Sequence, residues 1–500
     1  MAIERDFITP AGMTVLTTAN VVGNTTSLDM FSNTARAQTY PIFSQNFAMS
    51  PLLDSRFVFI RNTTGSYVAA NGIIAYANTN VPRFEYDPIT FQGKGLMLEE
   101  GRFNQVQNSS NMGGVNWGGY DGVAGGDNFE IIPNAGRAPD GSNTACFFLH
   151  NTDVNTYYVL WQDVANIQTN VTYTRSVFIK ANTSPQESGS QIAQYDNVDN
   201  QNSVYITLGF NANGTISGYS NISGAAGANC QVHSIGWQNY PDGWSRFYYS
   251  FRYTSGGTRT IQLKHELNSA GLTGTNFNAR GIYWWGAQVE QGPFVTSFIP
   301  TLPNQTTSRQ SDYAYIQDDN FRSFKTNIMT VVDTTAYQGY HGNGAMVSTS
   351  EQRYNNVWKI MNLPRLPGPY VPAQDSRFAG GQEIGHYTLN NVTPVHAYQH
   401  YLGGFINNET YAGFNVFNNL VTGTANSNIT DVNYVSTAMV IRSNNYIFVA
   451  NGGISSTNIN YSGLANNNYM QIGPLNGYFK RLAIYSGQLS NTEMIAITTT

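Results

Sequence analysis

Thr172-Tyr-Thr-Arg-Ser-Val-Phe-Ile-Lys180 and Ser245-Arg-Phe-Tyr-Tyr-Ser-Phe251 decide the fold class. Both are rich in β-branched and aromatic residues, which fit a pleated surface. The first alternates, so its successive side chains point to opposite faces of a strand. The second also alternates, but its aromatic density predicts a strand covered on both faces. Further strands are expected at Cys146–His150, Tyr157–Gln162, Val204–Phe210, Thr258–Leu263 and Gly281–Val289. Asn213-Gly214 and Gly256-Gly257 mark turns among them. Many short strands with such punctuation predict a jelly-roll β-sandwich over residues 106–303.

The flanking regions read as β too. Residues 51–105 carry strand signals at Arg56–Ile60, Ser66–Ala70 and Ile73–Ala77. Asn71-Gly72 between the last two predicts a two-residue hairpin, since both residues tolerate positive φ. This stretch is expected as a small β region linked to the first sandwich. Pro300 and Pro303 read as a linker, after which residues 304–500 form a second sandwich. Its expected strands include Ile328–Asp333, Tyr387–Asn390, Ser436–Arg442, Tyr446–Ala450, Tyr469–Gly473 and Tyr478–Tyr485, with a proline-rich loop at residues 362–374. Ser490-Asn-Thr-Glu493 predicts a capped helix start, flanked by Leu489 and Met494 as a hydrophobic staple. Residues 1–50 read as short β segments that bury little alone. They are expected to attach or oligomerise the chain. The fold class is therefore all-β: tandem jelly-roll sandwiches behind an extended N-terminal segment.

Composition narrows the function classes. Of 500 residues, 41% are hydrophobic, enough for packed cores, and only 11% are charged, against about 25% in an average globular protein. Polarity comes instead from Asn, Thr, Ser, Gln and Gly. The net charge is −5 and no Lys/Arg stripe occurs, so nucleic-acid binding lacks its electrostatic footprint. No apolar run approaches the ~20 residues that span a bilayer, and no membrane insertion is expected. Met1-Ala-Ile-Glu-Arg-Asp6 leads into no apolar signal-peptide core. Cys146 and Cys230 lack CxxC spacing. They read as two buried thiols or as one disulfide within the central region.

One composite pattern is more specific. Phe59-Ile-Arg-Asn-Thr-Thr-Gly-Ser-Tyr67 precedes Val81-Pro-Arg-Phe-Glu-Tyr-Asp-Pro88 and Gly95-Leu-Met-Leu-Glu-Glu-Gly-Arg-Phe-Asn104. Tyr283-Trp-Trp-Gly-Ala-Gln-Val-Glu290 and Ser297-Phe-Ile-Pro-Thr301 follow much later. Together these segments resemble bacteriophage virion structural proteins with concanavalin/laminin-G-like or carbohydrate-binding-module-like jelly rolls. Gly477-Tyr-Phe-Lys-Arg-Leu-Ala-Ile-Tyr485 resembles the last strand of a laminin-G-like sandwich. The resemblance implies a place on the phage particle, as tail fibre, spike or capsid decoration. It also implies that Arg83, Asp87, Glu99, Glu100, Arg102, Trp285 and Glu290 are structural motif residues. It implies no single activity.

The remaining chemistry is sparse. Glycosidases place two carboxylates across a sugar bond. Glu99 and Glu100 are adjacent, and on a strand they would face opposite sides. An ion pair with Arg83 or Arg102 is the expected role, since a planar guanidinium suits a carboxylate. His396 and His400 have helical i,i+4 spacing, with His386 nearby, but no acidic third ligand is close, and no metal or cofactor is expected. The Gly113–Gly126 cluster lacks the lysine of a phosphate loop. Of the seven tryptophans, Trp117, Trp161, Trp237, Trp244, Trp284, Trp285 and Trp358, those beside Gly- and Asn-rich segments, Trp117 and Trp237, are the candidate carbohydrate-binding platforms. The expectation is a non-enzymatic, displayed virion protein that assembles as a homo-oligomer, a trimer, with virion proteins and host surface glycans as partners. A carbohydrate-binding adhesin is the alternative, and a polysaccharide depolymerase the third reading.

Overall fold

The computed structural model describes residues 40–499 apart from segments 122–128, 151–156, 183–189, 224–228, 269–280, 324–325, 327, 338–353, 363–394, 407–408, 417–418, 422–433, 442–444, 451, 459–468 and 474–476. The chain is all-β, built from antiparallel sheets with jelly-roll sandwiches. Residues 1–39, the expected strand 387–390, His386 and most of the proline-rich loop lie outside the described residues.

The central sandwich has two six-stranded sheets. The first runs Cys230–Asn239, Ser245–Tyr253, Thr172–Ala181, Gly281–Gln291, Ala145–His150, Phe129–Gly136. The second runs Ile216–Ser223, Gln201–Phe210, Ser190–Asp196, Arg259–Asn268, Tyr157–Ile167, Gly118–Asp121. Phe148, Val177, Phe247 and Trp284 of the first meet Leu160, Ile192, Ile206 and Leu263 of the second in one apolar core.

The two sheets use their other faces differently. In the first, hereafter the junction sheet, all residues of 245–251 are buried. Phe178, Trp244 and Trp285 on its far side pack against Val68 and Ile74. Those two belong to a hairpin of Gly65–Val68 and Ile74–Ala77. Its turn holds Asn71 and Gly72, with Gly72 at φ 77° and its amide donating to the Ala69 carbonyl at 2.9 Å. In the second, hereafter the distal sheet, Gln201–Phe210 alternates: Val204, Ile206 and Leu208 are buried while Tyr205 and Thr207 are half-buried.

Among the described residues, the strands of 118–291 pair only with one another, whereas strand pairing joins the expected regions 1–50, 51–105 and 304–500. Arg83–Tyr86, Gly93–Leu98 and Pro41–Asn46 join Gly477–Ser486 in an eight-stranded sheet with Met329–Tyr337, Val435–Ile441, Asn445–Ala450 and Gly453–Asn458. Val58–Ile60 joins Tyr313–Gln317 at the edge of a seven-stranded sheet. Strands 58–60, 83–86, 93–98 and 102–104 are thus built into sheets with C-terminal strands, while the hairpin at 65–77 forms a two-stranded sheet of its own against the central sandwich. Local periodicity identifies strands but carries no information on which distant strand completes each ladder.

The C-terminal helix Asn491–Thr498 starts with the capping box: Glu493 N donates to Ser490 Oγ at 3.3 Å and Ser490 N to Glu493 Oε2 at 2.7 Å. Leu489 and Met494 pack with Val332, Val440 and Val449 of the eight-stranded sheet. His396 and His400 lie on the strand Val395–Ile406, so their spacing is not helical. Cys146 and Cys230 are free thiols, and burial pushes both up to about 12.

Candidate functional site

The motif residues converge where the central sandwich meets the strands of 58–104 and 307–317. Arg83 donates through Nη1 to the Ser66 carbonyl at 2.7 Å and Ser297 Oγ at 2.8 Å. Its Nη2 pairs with Glu99 Oε2 at 2.8 Å and with Asp312. Arg309 reaches Glu99 Oε2 at 3.0 Å, and Arg61 reaches Asp312 Oδ1 at 3.0 Å. Ser297 gives Glu99 two further donors, N to Oε1 at 2.8 Å and Oγ to Oε2 at 2.7 Å. Burial alone would raise the Glu99 pKa, but Arg309, Arg83 and the Ser297 bonds outweigh it and hold it at about 2. Alongside, Arg102 pairs with Glu100 and lies 3.6 Å from Glu290, whose carboxylate accepts from Thr296 N and Oγ1 at 2.9 and 2.6 Å. Arg61, Arg83, Arg102 and Arg309 balance Glu99, Glu100, Glu290 and Asp312.

This arrangement is a joint. Its carboxylates are occupied by guanidinium groups and backbone amides, and neither Glu99 nor Glu100 is left facing a substrate cleft. Asp87 plays a local part: its Oδ1 accepts from Ile89 N and Thr90 N at 2.9 and 2.8 Å, closing the turn before Phe91. Trp285 is fully buried, its Nε1 donating to Thr144 Oγ1 at 2.9 Å. A cavity of about 30 Å³ lies beside the joint, lined by Glu85, Met97 and Tyr478 on one side and Phe178, Tyr240 and Arg246 on the other. Burial raises the Glu85 pKa to about 7, although Lys94 and the Val68 amide pull it down.

Neither tryptophan singled out by its neighbours is an open platform. Trp117 is half-buried, its Nε1 donates to the Asn108 carbonyl at 3.1 Å, and its ring lies 5.6 Å from that of His265. Trp237 is half-buried, packed on the core and edge-on to Tyr219 at 6.1 Å. Nearby Gly and Asn residues loosen a chain without telling which way an indole points.

The distal sheet presents a different group on the face turned from the core. Cross-strand register aligns Gly118, Trp161, Lys264, Ala193 and Tyr205 in one row. The next row is Tyr120, Val159, Glu266, Gln191 and Thr207. Side-chain alternation sets both rows opposite Leu160, Ile192, Ile206 and His265. The Lys264 ammonium lies 4.7 Å from the Tyr195 ring centre and 5.9 Å from that of Tyr120. The signal was present in Arg259–Asn268, where Thr260, Gln262, Lys264 and Glu266 alternate with Ile261, Leu263, His265 and Leu267. Among the described residues no three metal-ligating side chains converge.

No protein-family model and no curated protein matches this sequence. Among solved structures, the chain is similar to the CBM40 of Ruminococcus gnavus IT-sialidase bound to α2,3-sialyllactose, with 15% identity over 37% of this chain and 91% of that one, TM-score 0.23. It is also similar to domains LG4-5 of the mouse laminin α1 chain, with 8% identity over 64% of this chain and 84% of that one, TM-score 0.16. At these values neither likeness bears on activity.

Proposed function

We propose that this chain is a non-enzymatic structural protein of a phage particle, displayed as a fibre, spike or capsid decoration, which attaches the particle to host-surface glycans. One observation carries the attachment reading. The junction sheet spends its far face on the hairpin at 65–77, whereas the distal sheet turns aromatic rings, amides, an ammonium and carboxylates away from the core. Such a mixture suits hydroxyl-rich ligands. Display on a particle is supported by the resemblance of segments 59–104 and 283–301 to virion proteins. The buried pairing of Glu99 and Glu100 with arginines supports a structural role for that motif.

Several copies on one particle, as in a homotrimer, would multiply a weak contact through effective concentration. The test has two arms. Gold-labelled antibody against the chain should decorate purified particles, and the purified protein should bind host cells and be displaced by glycans stripped from them. Unlabelled particles would sink the virion reading. Release of oligosaccharides from the host surface would replace attachment with catalysis.

A further inference from the structure

We propose that the outward face of the distal sheet binds a neutral, hydroxyl-rich glycan, with Trp161 as its stacking platform and Glu266 and Lys264 as its hydroxyl-binding groups. This rests on the attachment reading above and names its site and ligand class.

Glu266 is the decisive residue. It is 5% exposed, yet register sets it on the face turned from the core, one step along its strand from Lys264. Among the described residues, no side chain or backbone amide within hydrogen-bond distance donates to its carboxylate. Burial raises its pKa, against the pull of Lys264 and Arg175. Its counterpart in the row, Gln191, is 8% exposed and is held by Tyr205. A buried carboxylate without donors is costly. A carboxylate has about four acceptor sites, and adjacent hydroxyls of a sugar ring supply two O–H donors in one plane. Among the described residues Glu266 therefore keeps acceptor sites open for donors that a sugar carries.

Trp161 supplies the apolar side of the site. It pairs across the edge strand with Gly118. A Cβ at Gly118 would stand 2.6 Å from the indole Cε2, so the ring lies over the glycine where any other residue would displace it. The aromatic body can cover the C–H face of a pyranose while Lys264 and Glu266, in the neighbouring strand, meet its hydroxyls. Aromatic anchors of this kind combine large contact area with little rotamer entropy.

Charge selects the ligand class. Among the described residues the face has one ammonium, Lys264, and two carboxylates, Glu266 and Asp163. Lys264 is already engaged by the Tyr195 and Tyr120 rings, and Asp163 accepts from Gln262 Nε2 at 3.2 Å. A sialic or uronic acid would bring its carboxylate among like charges, which costs affinity. An uncharged hexose or N-acetylhexosamine does not.

The experiment applies the full chain to an array of neutral and acidic oligosaccharides. Neutral glycans should be bound. Trp161→Ala should weaken that binding about tenfold or more, as loss of an aromatic anchor does. Glu266→Gln, which keeps size and shape, should weaken it severalfold without lowering the melting temperature. Neutral binding that survives both substitutions overturns this face and leaves glycan attachment standing. Binding confined to acidic glycans overturns the ligand class. Absence of binding to both the array and host-cell envelopes overturns the site together with the attachment reading.

Discussion

Glu99 and Glu266 are both withdrawn from water, and their surroundings are opposite. Glu99, at the joint, accepts from Ser297 N and Oγ and pairs with Arg83 and Arg309. Its pKa is held at about 2. Glu266, on the distal face, has no such donors among the described residues, and its pKa is raised. Burial costs a carboxylate in both places, and what differs is the supply of partners. The joint is finished as folded, so its motif residues report architecture. On the distal face no described residue fills the acceptor sites of Glu266, and that is where a partner from outside can contribute energy.

The largest effect should come from breaking the joint. Glu99→Ala strands Arg83 and Arg309 in a dry interior, where removing one member of a buried pair costs about 3–5 kcal/mol. Urea unfolding should report that loss as a lower midpoint. A midpoint like that of wild type would mean that the arginines find other acceptors. In wild type the same pair carries a pH signature. The Glu99 pKa is depressed below its ordinary 4.5 to about 2, so its stabilisation is present above 4.5 and is lost as pH falls through about 2. The difference amounts to about 3 kcal/mol.

Glu85 sharpens the comparison because it sits beside the joint yet resembles Glu266. Its carboxylate accepts from Val68 N at 2.8 Å, and Lys94, Arg83 and Glu99 are its charged neighbours. A folded pKa of about 7 against an ordinary 4.5 contributes stability that is full below 4.5 and lost as pH rises through 7. Glu85→Gln cannot ionise, so from pH 5 to pH 9 it should gain about 3 kcal/mol relative to wild type. Equal differences at both pH values, from parallel urea titrations, would place an unrecognised partner on Glu85.

Gly118 tests the distal face by geometry. Gly118→Ala puts a methyl into the Trp161 indole, and overpacking of this kind costs about 1–3 kcal/mol. Glycan binding should fall with it, because the platform moves. Unchanged tryptophan fluorescence and binding would show that the indole does not rest on this glycine.

Much of this contrast was legible locally. The aromatic density of Ser245–Phe251 indicated a doubly covered strand, and every residue there is buried. Ser490–Glu493 produced the capped helix and Asn71-Gly72 a hairpin, because cap and turn chemistry act over a few residues, although the loop spans residues 70–72 rather than two residues and only Gly72 takes positive φ. The pairing of Gly93–Leu98 with Gly477–Ser486 was not legible, since a ladder spanning hundreds of residues leaves no local mark. Nor was the distal face: Trp161, Tyr205 and Lys264 come from three strands and meet only through register. Trp161 sat in an apolar-looking run, Tyr157–Gln162, whose outward parity becomes visible only beside its neighbours.

The smallest effect is the most direct comparison. Glu99→Gln and Glu266→Gln make the same isosteric change, removing a charge and leaving the volume. At the joint it weakens charge-assisted bonds to two arginines, and stability should fall. On the distal face it removes a charge that Lys264 and Arg175 favour but to which no described residue donates a hydrogen bond, and the amide needs less solvation than the carboxylate. At pH 8 Glu266→Gln should therefore melt at or slightly above the wild-type temperature while binding neutral glycan less well. Stability and binding move in opposite directions only if the carboxylate is kept for a ligand. A Glu266→Gln protein that loses stability as Glu99→Gln does would instead make Glu266 part of the scaffold.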